Sequence, residues 1–313
     1  MNDDAKREDE AAAALRLGLI TGVGAYALWG LFPIYLKALS EVSALEILAH
    51  RIFWSVPFGA ILISLRKQWR EVAAAFASPR VVFFLTLSAL AISFNWLTYV
   101  WAVINDRILE ASLGYYINPL MYVAAGVFIL GEKLRLTQKI AVALAAAGVL
   151  VMTFGAGVFP WVSLVLAFLF TAYGYIRKTT PVGAMPGLFI ETTLLAPFAL
   201  GFMIFFINAG AAVFLTQSTS MDILLLMAGP VTVVPLVLFA LSARRLTLTT
   251  VGLLQYIGPT LQFMLGLYYG ETFTLYHAIC FGLIWTGLAI FSFDAVRANR
   301  TGRPSPSPRP AGR

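Results

Sequence analysis

Four ionisable residues lie inside long apolar stretches, where charged groups are costly. Glu46, His50 and Arg51 lie close together, and Glu191 occupies a similar position in the second half of the chain. An ionisable side chain in a membrane span costs about 2.5–3.5 kcal/mol on insertion scales, so such residues are rare and often functional. Glu46 and His50 are four residues apart, share one helix face and can exchange protons. The pattern predicts a coupling or gating role for these four residues.

A structural interpretation of the same four residues stays open. Glu46, His50 and Arg51 would lie one or two turns below a membrane surface, where they could snorkel or form an ion pair. Glu46 and Glu191 would each lie about one turn into a helix, where the helix dipole favours an anion by about 0.3–1 kcal/mol.

Two proline motifs at matching positions predict interrupted helices. Asn118-Pro119 and Gly258-Pro259 each lie in the middle of an apolar stretch. Proline removes an intrahelical hydrogen bond and clashes with the carbonyl four residues earlier, which kinks a helix and frees backbone oxygens. Paired broken helices in the two halves of a chain indicate a central transport site.

Polar and aromatic residues around these motifs form the predicted substrate-binding set. The set comprises Asn95, Trp96, Ser112, Tyr115, Tyr116, Asn118, Thr232, Gln255 and Tyr256, with Pro119 and Pro259 as the helix kinks. Hydrogen bonds between neighbouring helices would explain part of this set equally well.

The composition of the chain requires a membrane environment. Of its 313 residues, 60% are hydrophobic and 12% are charged, whereas soluble domains have about 45–50% apolar and about 25% charged residues. The apolar stretches are too long and uniform for the strands of a barrel, so they are predicted to be helices. The expected fold is an all-α integral membrane protein with ten transmembrane helices, near 17–37, 43–65, 81–104, 109–130, 136–154, 159–177, 186–207, 223–241, 247–269 and 274–293.

The basic residues predict the orientation of these spans. Arg51 lies within the second span, only Lys37 and Arg107 fall in the loops of one side, and the rest of the 22 basic residues fall on the other. Basic loops face the cytoplasm, so both termini are expected there. The net charge of +7 therefore reflects membrane topology, and a nucleic-acid partner is not expected.

The two halves of the chain resemble each other weakly. Residues 116–119 match residues 256–259, and Gly131-Glu132 matches Gly270-Glu271, at nearly the same offset. Each half holds five predicted spans, so the second copy is expected to be inverted, as in many secondary transporters. The predicted organisation is an N-terminal cytoplasmic tail at 1–16, five-helix repeats at 17–155 and 156–295, and a disordered basic tail at 296–313.

Enzyme signatures are not found in the sequence. His50 and His277 lie in different spans without metal-ligand spacing, and no glycine-rich phosphate loop with its lysine occurs. Neither an enzyme, a metal site nor a cofactor is therefore expected.

Several stretches carry a resemblance to a known family. They are Tyr26–Lys37 (YALWGLFPIYLK), Glu46–Arg51 (EILAHR), Asn95–Leu97, Leu109–Leu120 (LEASLGYYINPL), Tyr173-Gly174 with Arg177-Lys178, Glu191-Thr192, Val234–Leu236, and Gln255–Thr260 (QYIGPT) with Gly270-Glu271. With them the chain resembles the EamA-type transporters of the drug/metabolite transporter superfamily, and within them the RarD group of chloramphenicol-sensitivity permeases. The resemblance spans about 17–295 and implies ten helices, cytoplasmic termini, a bacterial inner membrane and a central cavity. One departure is Tyr173-Gly174-Tyr175-Ile176, where a plainer apolar stretch is expected after the glycine.

The expected function is alternating-access transport of a small organic solute, a drug or a metabolite, with proton coupling left open. The alternative is a lipid-flipping or lipid-processing membrane protein, or a membrane receptor. A lateral opening lined by Arg51 would favour lipid, whereas a closed cavity near Asn118 and Tyr256 would favour a soluble solute. Both a monomer and a dimer stay open.

Overall fold

The computed structural model describes residues 3–130, 136–243, 245–246 and 248–300, and these residues are helical with short connections. The helices are α1 (Asp3–Ala38), α2 (Ala44–Leu65), α3 (Trp69–Phe76), α4 (Pro79–Ile104), α5 (Ile108–Leu130), α6 (Leu136–Leu150), a π-helical turn (Val151–Gly155), α7 (Trp161–Thr179), α8 (Ala184–Asn208), α9 (Thr219–Ala243), α10 (Leu248–Leu254), α11 (Ile257–Tyr268) and α12 (Leu275–Arg300). The predicted all-α architecture is confirmed for this part of the chain.

Seven helices in the described part of the chain are long and apolar enough to cross a membrane. They are Ala12–Ala38 of α1, then α2, α4, α6 with the π-helical turn, α8, α9, and Leu275–Phe293 of α12. Each coincides with a predicted span. The other three predicted spans coincide with α5, α7 and the α10–α11 pair, so the count of ten stays a prediction.

Helix α3 was not expected, because the basic residues between α2 and α4 indicate a loop. It buries Val72 and Ala75 and leaves Trp69 largely exposed. Lys67, at φ 54°, turns the chain between α2 and α3. This short amphipathic helix therefore covers one end of the bundle without crossing it.

The two proline motifs behave differently. The chain leaves the helix between Leu254 and Ile257, immediately before Gly258-Pro259, as predicted. Helix α5, in contrast, continues through Pro119 without a break, and a kink at this proline stays a prediction. A helix can lose one backbone hydrogen bond at proline without ending, because neighbouring helices support it.

Helices of the two halves interleave in the bundle. Helix α2 packs on α8, α5 on α11 and α6 on α12. Helices α4 and α5 both pack on α7, and α9 and α11 both pack on α1. These pairs are related by the predicted repeat. They stay the same set when each helix of the first half is exchanged for its predicted counterpart in the second: α1 for α7, α2 for α8, α4 for α9, α5 for α11 and α6 for α12.

Helices α2 and α8 run antiparallel. Ala49 and Ile52, early in α2, share a core cluster with Ala199 and Met203, late in α8. Late in α2 the order reverses, and Ile63 packs with Phe189 and Ile190. Positions one turn into each helix therefore lie at opposite ends of the pair.

Gly229 brings α9 against α2. A Cβ atom added there would lie 2.4 Å from the backbone oxygen of Trp54, closer than any side chain allows. The glycine permits this approach, and three residues later Thr232 comes within reach of Arg51.

Candidate functional site

Arg51 lies at the centre of the candidate site. Its side chain on α2 is buried, with 5% exposure, and its Nε donates to Thr232 Oγ1 on α9 at 3.1 Å. The guanidinium carbon lies 4.8 Å from the ring centre of Phe32 on α1 and 4.5 Å from that of Trp96 on α4. Nη1 is buried and has no hydrogen-bond partner. Four helices thus surround one cation, which keeps a donor free.

Three tyrosines extend this environment. The Tyr35 ring stacks on the Phe32 ring, with the ring centres 5.5 Å apart. The Tyr99 ring stacks on Phe32 at 6.0 Å and meets Tyr115 edge-on at 5.7 Å. The Tyr99 hydroxyl is buried without a hydrogen-bond partner. We call the rings around Arg51 the aromatic shell, namely Phe32, Tyr35, Trp96, Tyr99 and Tyr115.

Glu46 and His50 tie α2 to the connection between α8 and α9. Oε1 of Glu46 accepts hydrogen bonds from the backbone N–H groups of Val213, at 2.9 Å, and Phe214, at 3.1 Å. The His50 ring lies edge-on to Phe214 at 4.7 Å, and its Nδ1 accepts from Trp54 Nε1. We call Glu46, His50, Val213 and Phe214 the Glu46 cluster.

Glu191 forms a second cluster, with residues of α4 and α7. It is fully buried, Ser88 donates to its Oε1, and Tyr173 donates to its Oε2 at 3.4 Å. Arg177 Nε lies 3.6 Å from Oε1, and Nη2 of the same arginine donates to the backbone oxygen of Gly183 at 2.9 Å. We call Ser88, Tyr173, Arg177 and Glu191 the Glu191 cluster.

Two predicted binding residues make hydrogen bonds between helices. Asn95 Nδ2 donates to the backbone oxygen of Leu166 at 3.0 Å, and Ser112 Oγ donates to that of Pro259 at 2.8 Å. These contacts match the packing alternative that the sequence left open. Asn118 differs, because it is fully buried and neither of its amide atoms has a partner.

Two further predicted residues line a separate cavity. It has a volume of about 360 Å³ and lies between α5, α10, α11 and α12, with Tyr116, Tyr256 and Trp285 in its wall. The Tyr116 and Tyr256 rings stack at 6.4 Å, and the Tyr116 hydroxyl lies 2.7 Å from Thr260 Oγ1. Gln255 is half-buried at the helix break. Tyr115 and Tyr116 are neighbours in α5 but therefore lie in two different sites. Tyr115 belongs to the aromatic shell, and Tyr116 lies in the wall of this cavity.

Comparison with known proteins decides the family. Residues 16–154 match the EamA-like transporter family. The chain is 42% identical to Protein RarD of Escherichia coli over 290 residues, which cover 92% of this chain and 98% of that relative. The chain belongs to the EamA-like transporter family. An uncharacterized transporter of Pseudomonas aeruginosa is 47% identical over 294 residues, covering 93% of this chain and 98% of the relative.

More distant similarity agrees with this placement. The chloramphenicol-sensitive protein RarD of P. aeruginosa is 31% identical, covering 90% of this chain and 96% of the relative. A crystal structure with 18% identity superposes with a TM-score of 0.57 and covers 90% of this chain and 99% of its own, which shows a shared fold. The predicted resemblance is confirmed, and the chain is a multi-pass transporter of a bacterial inner membrane.

The sequence identified only part of this candidate site. Arg51, Trp96, Tyr115 and Thr232 meet as one group, but the other shell residues were not among the predicted set. Phe32 and Tyr35, like Trp96 and Tyr99, are three residues apart, a spacing that places each pair on one helix face. In the Glu191 cluster, Tyr173 and Arg177 were identified only as residues that carry the family resemblance and not as site residues.

Proposed function

We propose that this EamA transporter moves a small organic solute by alternating access between two inverted halves, residues 17–155 and 156–295. Ten transmembrane helices with both termini in the cytoplasm are part of the proposal. The symmetric exchange of helix pairs supports it, because two equivalent halves can open to either side of a membrane by similar motions.

One observation carries the proposal: the buried Arg51 site lies on α2, and a polar cluster lies towards each end of the α2–α8 pair. The Glu46 cluster holds α2 to the α8–α9 connection at one end, and the Glu191 cluster holds α8 to α4 and α7 at the other. Glu46 lies in the first turn of α2, Glu191 lies in the second turn of α8, and the two helices are antiparallel. Opening one cluster while the other holds would expose the centre to one side at a time.

Protons are the proposed coupling ion. An ionised Glu191 attracts Arg177 and accepts from Ser88. Protonation removes the charge, weakens both contacts and so favours opening of that end. Glu46 and His50 provide exchangeable protons at the other end.

The position of Arg51 favours a soluble solute over lipid. A lipid-flipping protein was expected to have a lateral opening lined by this arginine. The Arg51 side chain is instead only 5% exposed and lies against rings from α1 and α4.

Uptake into liposomes tests the proposal. Metabolites whose levels change between deletion and overexpression strains are presented to the reconstituted protein under an imposed pH gradient. We expect saturable uptake of at least one of them. No uptake of any candidate under either gradient direction, with correctly folded protein, would overturn the proposal.

A further inference from the structure

Arg51 is a buried cation with no acidic partner among the described residues, whereas three half-buried cations each have one. Lys37 pairs with Asp106, Arg107 lies 3.5 Å from Glu110, and Arg177 lies 3.6 Å from Glu191. No carboxylate of the described residues forms an ion pair with Arg51, and its guanidinium instead lies over the rings of Phe32 and Trp96.

An unpaired buried cation is costly. Burying a charge without a counter-ion carries a large desolvation penalty, and a buried charge left without its partner is strongly destabilising. A residue with only a structural role would therefore be expected to carry its own carboxylate. Within a membrane span, such a group instead points to a solute that brings the missing charge.

We propose that the transported solute is a small aromatic monocarboxylate whose carboxylate binds the free Nη1 of Arg51 and the hydroxyl of Tyr99. This inference rests on the proposed transport function and names its substrate class. Both donors are buried and have no hydrogen-bond partner.

The geometry favours a carboxylate with one negative charge. A guanidinium presents a rigid fork of donors that matches a carboxylate. The hydrogen bond from Nε to Thr232 holds the group in place, and Nη1 is left for the ligand. One unpaired cation balances one negative charge, so dianions would leave a charge uncompensated.

The aromatic shell favours a flat body for the solute. Its rings come from α1, α4 and α5, and they continue from Phe32 through Tyr99 to Tyr115. Aromatic rings bind other rings edge-to-face or offset-stacked. A solute with a cationic group would be repelled by Arg51.

Paired probes test the charge requirement. Benzoate, phenylacetate and 3-phenylpropionate are each titrated, alongside their amides, into the purified full-length protein in detergent. Binding is followed by tryptophan fluorescence, since Trp96 lies 4.5 Å from the guanidinium, and by the unfolding midpoint. We expect at least one acid to bind about 10-fold or more tightly than its amide, a factor typical of one charge-assisted hydrogen bond.

Two variants and one control locate the effect. Arg51→Gln should abolish the preference for acid over amide. Tyr99→Phe should weaken acid binding several-fold, since it removes the hydroxyl but keeps the charge of Arg51. Arg107→Gln is the matched control, because Arg107 also lies over a tryptophan, 5.4 Å from Trp101, but pairs with Glu110 at a more exposed position. This control should keep the preference.

The outcomes separate the solute class from transport itself. Equal binding of acids and amides, no binding of any acid, or a preference that persists in Arg51→Gln would overturn the carboxylate inference. If liposomes take up only neutral or cationic solutes, indifferent to Arg51→Gln, transport stands and the inference fails. If the acids bind through Arg51 but do not cross liposomes, the binding site stands and the transport proposal fails.

Discussion

The guanidinium of Arg177 passes so close to Gly187 that a Cβ atom on residue 187 would lie 2.0 Å from Nη1. The same side chain places Nε 3.6 Å from Glu191. The missing side chain at residue 187 is therefore what gives Arg177 its path to the carboxylate. Gly187, one turn before Glu191, thus supports the Glu191 cluster by leaving space for Arg177.

Gly187→Ala should disrupt the Glu191 cluster without unfolding the protein. The three atoms nearest to the methyl group would all belong to the flexible end of Arg177, which can move away, so the unfolding midpoint should stay close to that of the wild type. Uptake into liposomes should fall to the level of Arg177→Gln. Gly201→Ala is the control, since it lies on the same helix with open space around its Cβ position. Wild-type uptake by Gly187→Ala would contradict this role.

Glu191→Gln should remove the pH dependence of transport. In the wild type, lower pH favours the protonated carboxyl, weakens its contacts with Arg177 and Ser88 and should speed uptake. Glutamine is neutral at every pH, so uptake by this variant should be nearly constant across the neutral range. Initial rates in liposomes at stepped pH measure this.

A matched carboxylate serves as the control for that experiment. Glu71 accepts a hydrogen bond from the Gly183 N–H at the same end of the bundle, but it is only half-buried, whereas Glu191 is fully buried. Glu71→Gln should keep the wild-type pH profile. An unchanged profile in Glu191→Gln would reject the coupling role of Glu191.

Gly229→Ala should destabilise the bundle. The added methyl group would lie 2.4 Å from the Trp54 backbone oxygen. A backbone atom within a helix cannot move aside as the end of a flexible side chain can. Overpacking of this kind costs about 1–3 kcal/mol, measured as a lower unfolding midpoint in detergent. Gly24→Ala meets only Leu238 at an ordinary 3.6 Å and should be neutral or stabilising. Equal midpoints for the two variants would show that α2 and α9 can separate freely.

Glu271 should make stability depend on pH. Burial raises the pKa of this loop carboxyl, while hydrogen bonds from the Leu109 and Ile108 N–H groups and the charge of Lys37 oppose the rise. A raised pKa in the folded state means that the protonated form is favoured by folding. Its stabilisation is complete below the unfolded pKa and is lost as pH rises through the folded pKa.

The unfolding midpoint should therefore fall from mildly acidic to neutral pH in the wild type, and fall less in Glu271→Gln. Glu41→Gln, an exposed carboxylate paired only with Gln217, should keep the wild-type slope. A steeper slope in Glu271→Gln than in the wild type would show that the N–H bonds outweigh burial.

Hydropathy was sufficient for the long helices but not for the details between them. The predicted span 43–65 coincides with Ala44–Leu65, and 223–241 lies within Thr219–Ala243. Helix α3 was missed because its amphipathic pattern spans only eight residues between basic ones. The chain leaves the helix just before Gly258-Pro259 but stays helical through Pro119, since the effect of proline depends on the helices packed around it.

The sequence by itself determined the membrane environment, the long spans and the rare ionisable residues within them, because these follow from local composition and the cost of burying charge. Only the tertiary structure decided what each ionisable residue contacts. Arg51 meets Thr232 across 181 positions, and Ser88 meets Glu191 across 103. Such contacts depend on how helices pack, and apolar helices of similar composition carry no local record of their partners.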